Sequence, residues 1–336
     1  IPKEPTRIWG LDEVLHGGLP RGRACVISGG PGSGKTIFGL EFLYRGAVAG
    51  EPGIFISFEE PAEAVRRNAL ALDWDVPALE CEGKLLILDG RIDPAVIRSG
   101  EFDISGLLAI LGGQAQAMGA RNVVIDAIDG LLHLLDNPRL EREQLEILHR
   151  WLLERGLTTV MTMKTLGDGP FSSFYRFLDY MVDCIIELDQ RVVGQVSTRR
   201  LRVVKYRGSS YERNEFPFVV TERGIRLVPI SRHAAWVTAD HHVIGTGLAS
   251  LDEALGGGLL EPSSVLIAGA SGTGKTSIAS TMAMTAAGRG DPVLYWQFEE
   301  PPETMIRRLQ SPGIDLQPMV DSGLLRIEAA MPETAG

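Results

Sequence analysis

Four segments of this sequence recur at a single offset of 240 residues. Leu11-Asp12-Glu13 returns as Leu251-Asp252-Glu253, Gly34-Lys35-Thr36 as Gly274-Lys275-Thr276, and Phe58-Glu59-Glu60 as Phe298-Glu299-Glu300, while Gly83-Lys84-Leu85-Leu86-Ile87 aligns with Gly323-Leu324-Leu325-Arg326-Ile327. A period of this length is far longer than a solenoid repeat and points to a duplicated domain. The expected division is a complete first domain over residues 1–230, a linker over 231–243 that has neither helical nor strand periodicity, and the N-terminal part of a second copy over 244–336. Gly336 corresponds to Val96 of the first copy and Ile1 is not an initiator Met, so the sequence reads as a piece of a longer chain.

Within the first copy, short apolar runs alternate with helix-length segments. Ala24–Ser28, Ile54–Phe58, Leu85–Leu88, Asn122–Ile125 and Thr158–Met163 read as strands and Ile37–Ala49 as a helix, which predicts an α/β fold with a mostly parallel sheet. Cys184–Leu188, Leu201–Val204 and Phe218–Val220 lie close together, with Val193-Gly194-Gln195 as a turn, and predict an antiparallel, β-rich C-terminal edge. The 44% hydrophobic content supplies a sizeable core.

Between the first strand and the first helix stands Gly29-Gly30-Pro31-Gly32-Ser33-Gly34-Lys35-Thr36, a match to G-x-x-x-x-G-K-[ST] in the context that motif requires. Gly30, Pro31, Gly32, Ser33 and Gly34 are expected to wrap phosphates with backbone N–H groups. Lys35 would reach the β/γ oxygens and Thr36 would ligate Mg²⁺, so ATP or ADP with Mg²⁺ is the expected cofactor. The repeat extends the same reading to Ser271, Gly272, Thr273, Gly274, Lys275 and Thr276. Catalysis there is expected to be weak or absent, because the strand before the second loop would lack the Asp-bearing strand beside it.

Asn122-Val123-Val124-Ile125-Asp126 is an apolar strand ending in an acid, the pattern that holds the metal shell opposite the loop, which makes Asp126 the metal-side carboxylate. Asp129 reads as a cap of the following helix. Glu59 and Glu60 end a strand just before Pro61. One of them is expected to polarise the attacking water, Glu59 ahead of Glu60, although acids at that point also suit a helix N-terminus without any catalytic role. In Arg200-Leu201-Arg202-Val203-Val204-Lys205-Tyr206-Arg207 the strand period puts Lys205 and Arg207 on one face, as a phosphate clamp supplied to a neighbouring subunit or as a solvated edge. His241-His242 read as linker residues, since no third ligand lies at suitable spacing.

A formal charge of −10 and a pI near 5.2 oppose broad electrostatic capture of nucleic acid. Cys25, Cys81 and Cys184 are far apart and form no metal-binding pair, which fits a reducing cytoplasm. No apolar run reaches the roughly 18 residues of a membrane span, and no targeting segment opens the sequence.

Gly10-Leu11-Asp12 with Gly17-Gly18-Leu19-Pro20, the loop through Thr36, Phe58-Glu59-Glu60, Asp126, Thr158-Thr159-Val160-Met161-Thr162, Lys205-Tyr206-Arg207-Gly208-Ser209, Glu215-Phe216-Pro217-Phe218 and Gly224-Ile225 follow one another in an order that resembles the KaiC family of tandem RecA-type ATPases. The resemblance implies a RecA-like P-loop fold and an ATP-hydrolysing homo-oligomeric ring, usually a double-layered hexamer, with nucleotide between protomers. Lys205, Tyr206, Arg207, Ser209 and Tyr211 would then meet a neighbour's nucleotide. It also implies a signalling or timing role, a small KaiB-like partner, and an autokinase in the full second domain whose phosphorylated segment has no counterpart up to Gly336. Met163-Lys164 departs from the Thr-Glu of cyanobacterial members, and Tyr206 and Tyr211 depart from their Leu and His. Two other functions compete: a RadA-like or DnaB-like DNA-dependent ATPase, for which Lys164 to Phe177 supplies few cations, and a scaffold that binds ATP only to assemble.

Overall fold

The computed structural model describes residues 1–91, 104–132, 135, 137–164, 178–193, 196–227 and 242–330. The expected linker up to His241 and the stretch 165–177 lie outside these residues. The chain divides into two compact units, Ile1–Arg232 and His233–Gly336.

The first unit runs β1 (Lys3–Glu4), α1 (Leu11–Val14), β2 (Leu19–Pro20), β3 (Ala24–Gly29), α2 (Lys35–Val48), β4 (Gly53–Ser57), α3 (Ala62–Leu70), α4 (Val76–Cys81), β5 (Leu85–Asp89), α5 (Ile104–Met118), β6 (Asn122–Asp126), α6 (Ile128–Leu132), α7 (Pro138–Glu154), β7 (Thr158–Lys164), α8 (Leu178–Met181), β8 (Cys184–Val193), β9 (Val196–Tyr206), β10 (Glu215–Thr221) and β11 (Gly224–Leu227). Nine of these strands form one sheet in the order β11-β10-β9-β8-β3-β7-β6-β4-β5. From β8 to β5 neighbours are parallel, and β8 through β11 form an antiparallel meander. The core strands match the sequence reading to within a residue or two, whereas the β8–β9 hairpin is longer than expected.

Strand alternation divides the core into two layers. Cys25, Ile27, Phe55, Val124 and Val160 face a cluster with Leu11, Phe38, Phe42, Leu43 and Val65. Val26, Ile54, Ile56, Ile125 and Met161 face another with Leu108, Leu111, Ile128, Leu145 and Leu148. Burial on both faces is why the central strands read as unbroken apolar runs, each such side chain contributing about 1.5–3 kcal/mol when fully buried. Helix α7 starts where Asn137 accepts the N–H groups of Arg139 and Leu140 and Pro138 occupies the first turn.

The sheet order corrects one expectation. The Asp126 strand does not lie beside the phosphate-loop strand: β7 stands between β3 and β6, because the chain crosses outward to β4 and β5 before filling the gap it left.

The second unit holds β12 (His242–Ile244), α9 (Ala249–Ala254), β13 (Leu259–Glu261), α10 (Lys275–Gly288), β14 (Val293–Gln297), α11 (Pro302–Gln310), α12 (Gln317–Asp321) and β15 (Leu325–Ala329). Val293 pairs with Leu325 as Gly53 pairs with Leu85, so the repeat extends to strand register. His242, expected in a linker, opens β12 and pairs with Glu261. No strand forms directly before the second loop, and Leu266 there is 90% exposed. Its counterpart β3 takes its ladder from β7 and β8, which have no equivalents among the described residues of this unit. Among the described residues no helix is long and apolar enough to cross a membrane.

Candidate active site

The loop from Gly29 to Gly34 folds back on the end of β3 through left-handed backbone at Gly32 (φ 72°) and Gly34 (φ 98°), conformations that glycine adopts without a Cβ penalty. Helix α2 starts at Lys35 directly after Gly34, so its unpaired first-turn N–H groups and positive dipole end face the loop. Lys35 Nζ lies over this loop and donates to the carbonyls of Gly29 (2.9 Å) and Gly30 (2.8 Å). Burial lowers its pKa, opposed by the charges of Asp126, Asp129 and Glu59.

Thr36, one residue on, donates from Oγ1 to Asp126 Oδ2 at 3.0 Å. The other oxygen, Oδ1, accepts from Thr162 Oγ1 on β7, so the intervening strand orients the carboxylate. Asp126 is 4% exposed, and burial raises its pKa against these two hydrogen bonds. A threonine hydroxyl beside a buried carboxylate is a set of hard oxygen donors that fits Mg²⁺, which takes one or two protein ligands and keeps several waters.

The Phe58 N–H donates to the Asp126 carbonyl, which brings the turn after β4 to the same end of the sheet. Ser57 closes that turn, donating from Oγ to the Glu60 carbonyl at 2.7 Å. The two glutamates then part. Glu59 Oε1 accepts from Lys164 Nζ at 2.5 Å, on the Asp126 side, whereas Glu60 Oε2 accepts from Asn68 Nδ2 at 3.1 Å, on the α3 side.

Glu60 and Asn68 line a cavity of about 390 Å³ that runs from Gly32, Gly34, Lys35 and Thr36 between α2 and α3. Its far wall is apolar: Ile37, Leu40, Val65, Ala71 and Leu72. The sequence reading missed these residues. Their signal was the pairing of apolar positions on two helices that flank the loop, legible only once the helices are seen to face each other.

Asp129 is not a cap. It lies inside α6, 3% exposed, with neither carboxylate oxygen at hydrogen-bonding geometry to a donor. Burial raises its pKa, and its own N–H, the Lys164 charge and the Lys164 N–H lie near enough to offset part of that.

The basic strand meets this loop at its other end, where Arg199 donates to the Gly32 carbonyl at 3.4 Å, and its Lys205–Arg207 end is not brought there. Tyr206 in β9 is level with Cys184 and, through it, Cys25, whereas the loop begins at Gly29, about 13 Å further along at the usual rise per residue. Lys205 donates to the Val182 carbonyl (2.7 Å), and Arg207, just past the strand, to the Tyr180 carbonyl (3.0 Å). Tyr206 departs from its expected nucleotide contact: alternation turns it inward, 6% exposed, with its hydroxyl on the Gly18 carbonyl at 2.7 Å. Ser209 Oγ donates to the Ser210 carbonyl, and the Tyr211 ring lies 6.3 Å from that of Tyr206.

In the second unit Gly272 (φ 79°) and Gly274 (φ 87°) repeat the loop, and Lys275 Nζ donates to Gly269 and Ala270 at 2.9 and 2.7 Å. Ser271 and Thr273 are exposed, and Thr276 meets no carboxylate counterpart of Asp126 among the described residues.

A family model described as ATPase: KaiC matches residues 4–232 and 244–336. The circadian clock protein KaiC2 of Synechocystis sp. is 41% identical over 333 residues, covering 98% of this chain and 58% of that protein. The circadian clock oscillator proteins KaiC of Synechococcus elongatus and Acaryochloris marina are 35% and 34% identical, each covering 100% of this chain and 65% of its own length. The chain therefore spans less than two thirds of the length of these relatives. With both copies matched and a RecA-like P-loop site built into the first, the chain belongs to the KaiC family of ATPases.

Proposed function

We propose that the first unit binds ATP with Mg²⁺ and hydrolyses it, and that a neighbouring copy of the chain completes the site in a homo-oligomeric ring. The observation that carries this reading is the convergence of Lys35, Thr36, Asp126 and Glu59 at one end of the sheet. Backbone N–H groups of Gly30 to Gly34 hold the phosphates, Lys35 exchanges its loop carbonyls for the β/γ oxygens, and Thr36 with Asp126 holds the metal. When bound, Mg²⁺ neutralises charge that develops on the transferred phosphoryl group. Glu59 accepts the proton of the attacking water, Glu60 stays on the nucleotide side with Asn68, and the apolar cavity takes the base.

Lys205 and Arg207 lie too far along β9 to serve their own loop, which favours action on the nucleotide of a neighbour, with Ser209 and Tyr211 beside them. Tyr206 acts from within the core, holding the strand that carries them. The reading includes a complete first domain over 1–230 and the N-terminal part of a second over 244–336, whose loop binds nucleotide without effective catalysis. It extends, on the names of the relatives, to a timing or signalling role, and, on the resemblance of the motifs alone, to a cytoplasmic location, a six-membered ring, a small KaiB-like partner and an autokinase in a complete second domain.

The test is phosphate release from ATP·Mg²⁺ per protomer over a wide range of protein concentration. Specific activity that rises and then levels off, and that Arg207→Ala abolishes, supports completion in trans. Turnover independent of concentration in a monomer rejects it, and no turnover at any concentration rejects the ATPase reading.

A further inference from the structure

Lys164 ends β7 and is the register partner of Gly29, so it stands level with the start of the phosphate loop, one strand from Asp126. Its ammonium donates to Glu59 Oε1 at 2.5 Å. Helix α6 passes close to the stem of Glu59 on the other side, where a Cβ on Gly130 would lie 3.3 Å from Glu59 Cγ. Helix α6 also supplies Asp129, a buried carboxylate with no hydrogen-bond donor, whose charge acts on the same ammonium. One cation is thus shared by two acids, one of them bonded to it and the other attracting it from within the fold. An ion pair as exposed as Lys164–Glu59 adds little to folding.

We infer that Lys164 is a positioning residue for hydrolysis: it fixes the Glu59 carboxylate beside the phosphate loop. A carboxylate has two oxygens and about four lone-pair positions, so one bond to Lys164 leaves it able to take a proton from water. This rests on the reading of Glu59 as the base.

The experiment measures kcat and KM for ATP·Mg²⁺ with the full chain and with Glu59→Gln, Lys164→Met, Lys164→Arg and the Glu59→Gln/Lys164→Met double variant, together with their melting temperatures. Lys164→Met is expected to lower kcat about tenfold with KM changed less than about twofold, and to cost nothing further on top of Glu59→Gln. Lys164→Arg, which keeps the charge, is expected to recover most of kcat, and it guards against a Lys164→Met variant that merely fails to fold. Wild-type kcat in Lys164→Met, an equal loss on either background, a change confined to KM, or Lys164→Arg no faster than Lys164→Met overturns the inference. If Glu59→Gln is slow while Lys164→Met is unimpaired, the inference fails alone; if Glu59→Gln turns over normally, the base assignment fails first and the inference with it.

Discussion

Thr162 on β7 gives its hydroxyl to Asp126 on β6, leaving the other carboxylate oxygen turned towards Thr36. The strand that separates β3 from β6 is therefore what aims the Asp126 carboxylate at Thr36.

Thr162→Val keeps the shape of the side chain and removes only this donor, so Asp126 loses its orientation but not its charge. Turnover is expected to fall about tenfold, with a raised Mg²⁺ requirement, whereas Asp126→Asn is expected to lose about a hundredfold or more. Titration of activity against Mg²⁺ for both variants checks this, and a Thr162→Val variant with unchanged metal dependence contradicts it.

The apolar wall of the cavity beside the loop makes a second case. Ala71→Phe puts a bulky ring into this lining and leaves the Lys35 and Thr36 side chains themselves unchanged. Affinity for ATP is expected to drop about tenfold while affinity for inorganic triphosphate stays within about twofold, since only the former needs room for a base. Competition binding of the two ligands separates these outcomes.

Arg66 on α3 makes a two-pronged ion pair with Glu80 on α4, at 2.7 and 2.9 Å, and also donates to the Ile87 carbonyl of β5. Arg66→Ala leaves Glu80 half-buried without its partner and is expected to cost about 1–3 kcal/mol in urea unfolding. Burial works to raise the Glu80 carboxyl, but the Arg66 hydrogen bonds, the Ile87 N–H and the Arg66 charge outweigh it, so its pKa lies below the ordinary 4.5. A depressed carboxylate contributes stability that is fully present above its unfolded pKa and is lost as pH falls through the folded one. The gap in melting temperature between wild type and Glu80→Gln should therefore be widest near neutrality and narrow below pH about 4.5.

Gly224→Ala tests the antiparallel edge. Gly224 has φ 102°, and a Cβ there would lie 2.5 Å from Glu41 Oε1. Glu41 is fully buried, and its other oxygen accepts the Ile225 N–H at 2.7 Å. Strain and the displaced carboxylate are expected to cost about 2 kcal/mol or more, read from the urea midpoint at constant m-value.

The parallel core was legible because strands buried on both faces leave unbroken apolar runs such as Val123-Val124-Ile125, and the loop because its glycines and Lys35 stand at fixed spacing. The strand order was not, since hydrophobic runs carry no record of which neighbour a strand pairs with, and β7 was therefore missed between β3 and β6. Asp129 was misread because an acid near a helix start caps it in most settings; only packing reveals one turned into the interior. Tyr206 fell to the side opposite Lys205 and Arg207 by the same alternation that placed those two together. The cavity between α2 and α3 depends on how two helices face each other, which no local pattern records.

Lys35 and Lys275 fold onto the first two carbonyls of their loops with nearly the same bond lengths, although only the first loop follows a formed strand. The two loops thus share one shape, with a formed strand before the first and none before the second. The conformation of such a loop carries no information about whether chemistry happens there. That information resides across the gap, in whether an acid stands opposite the threonine as Asp126 stands opposite Thr36.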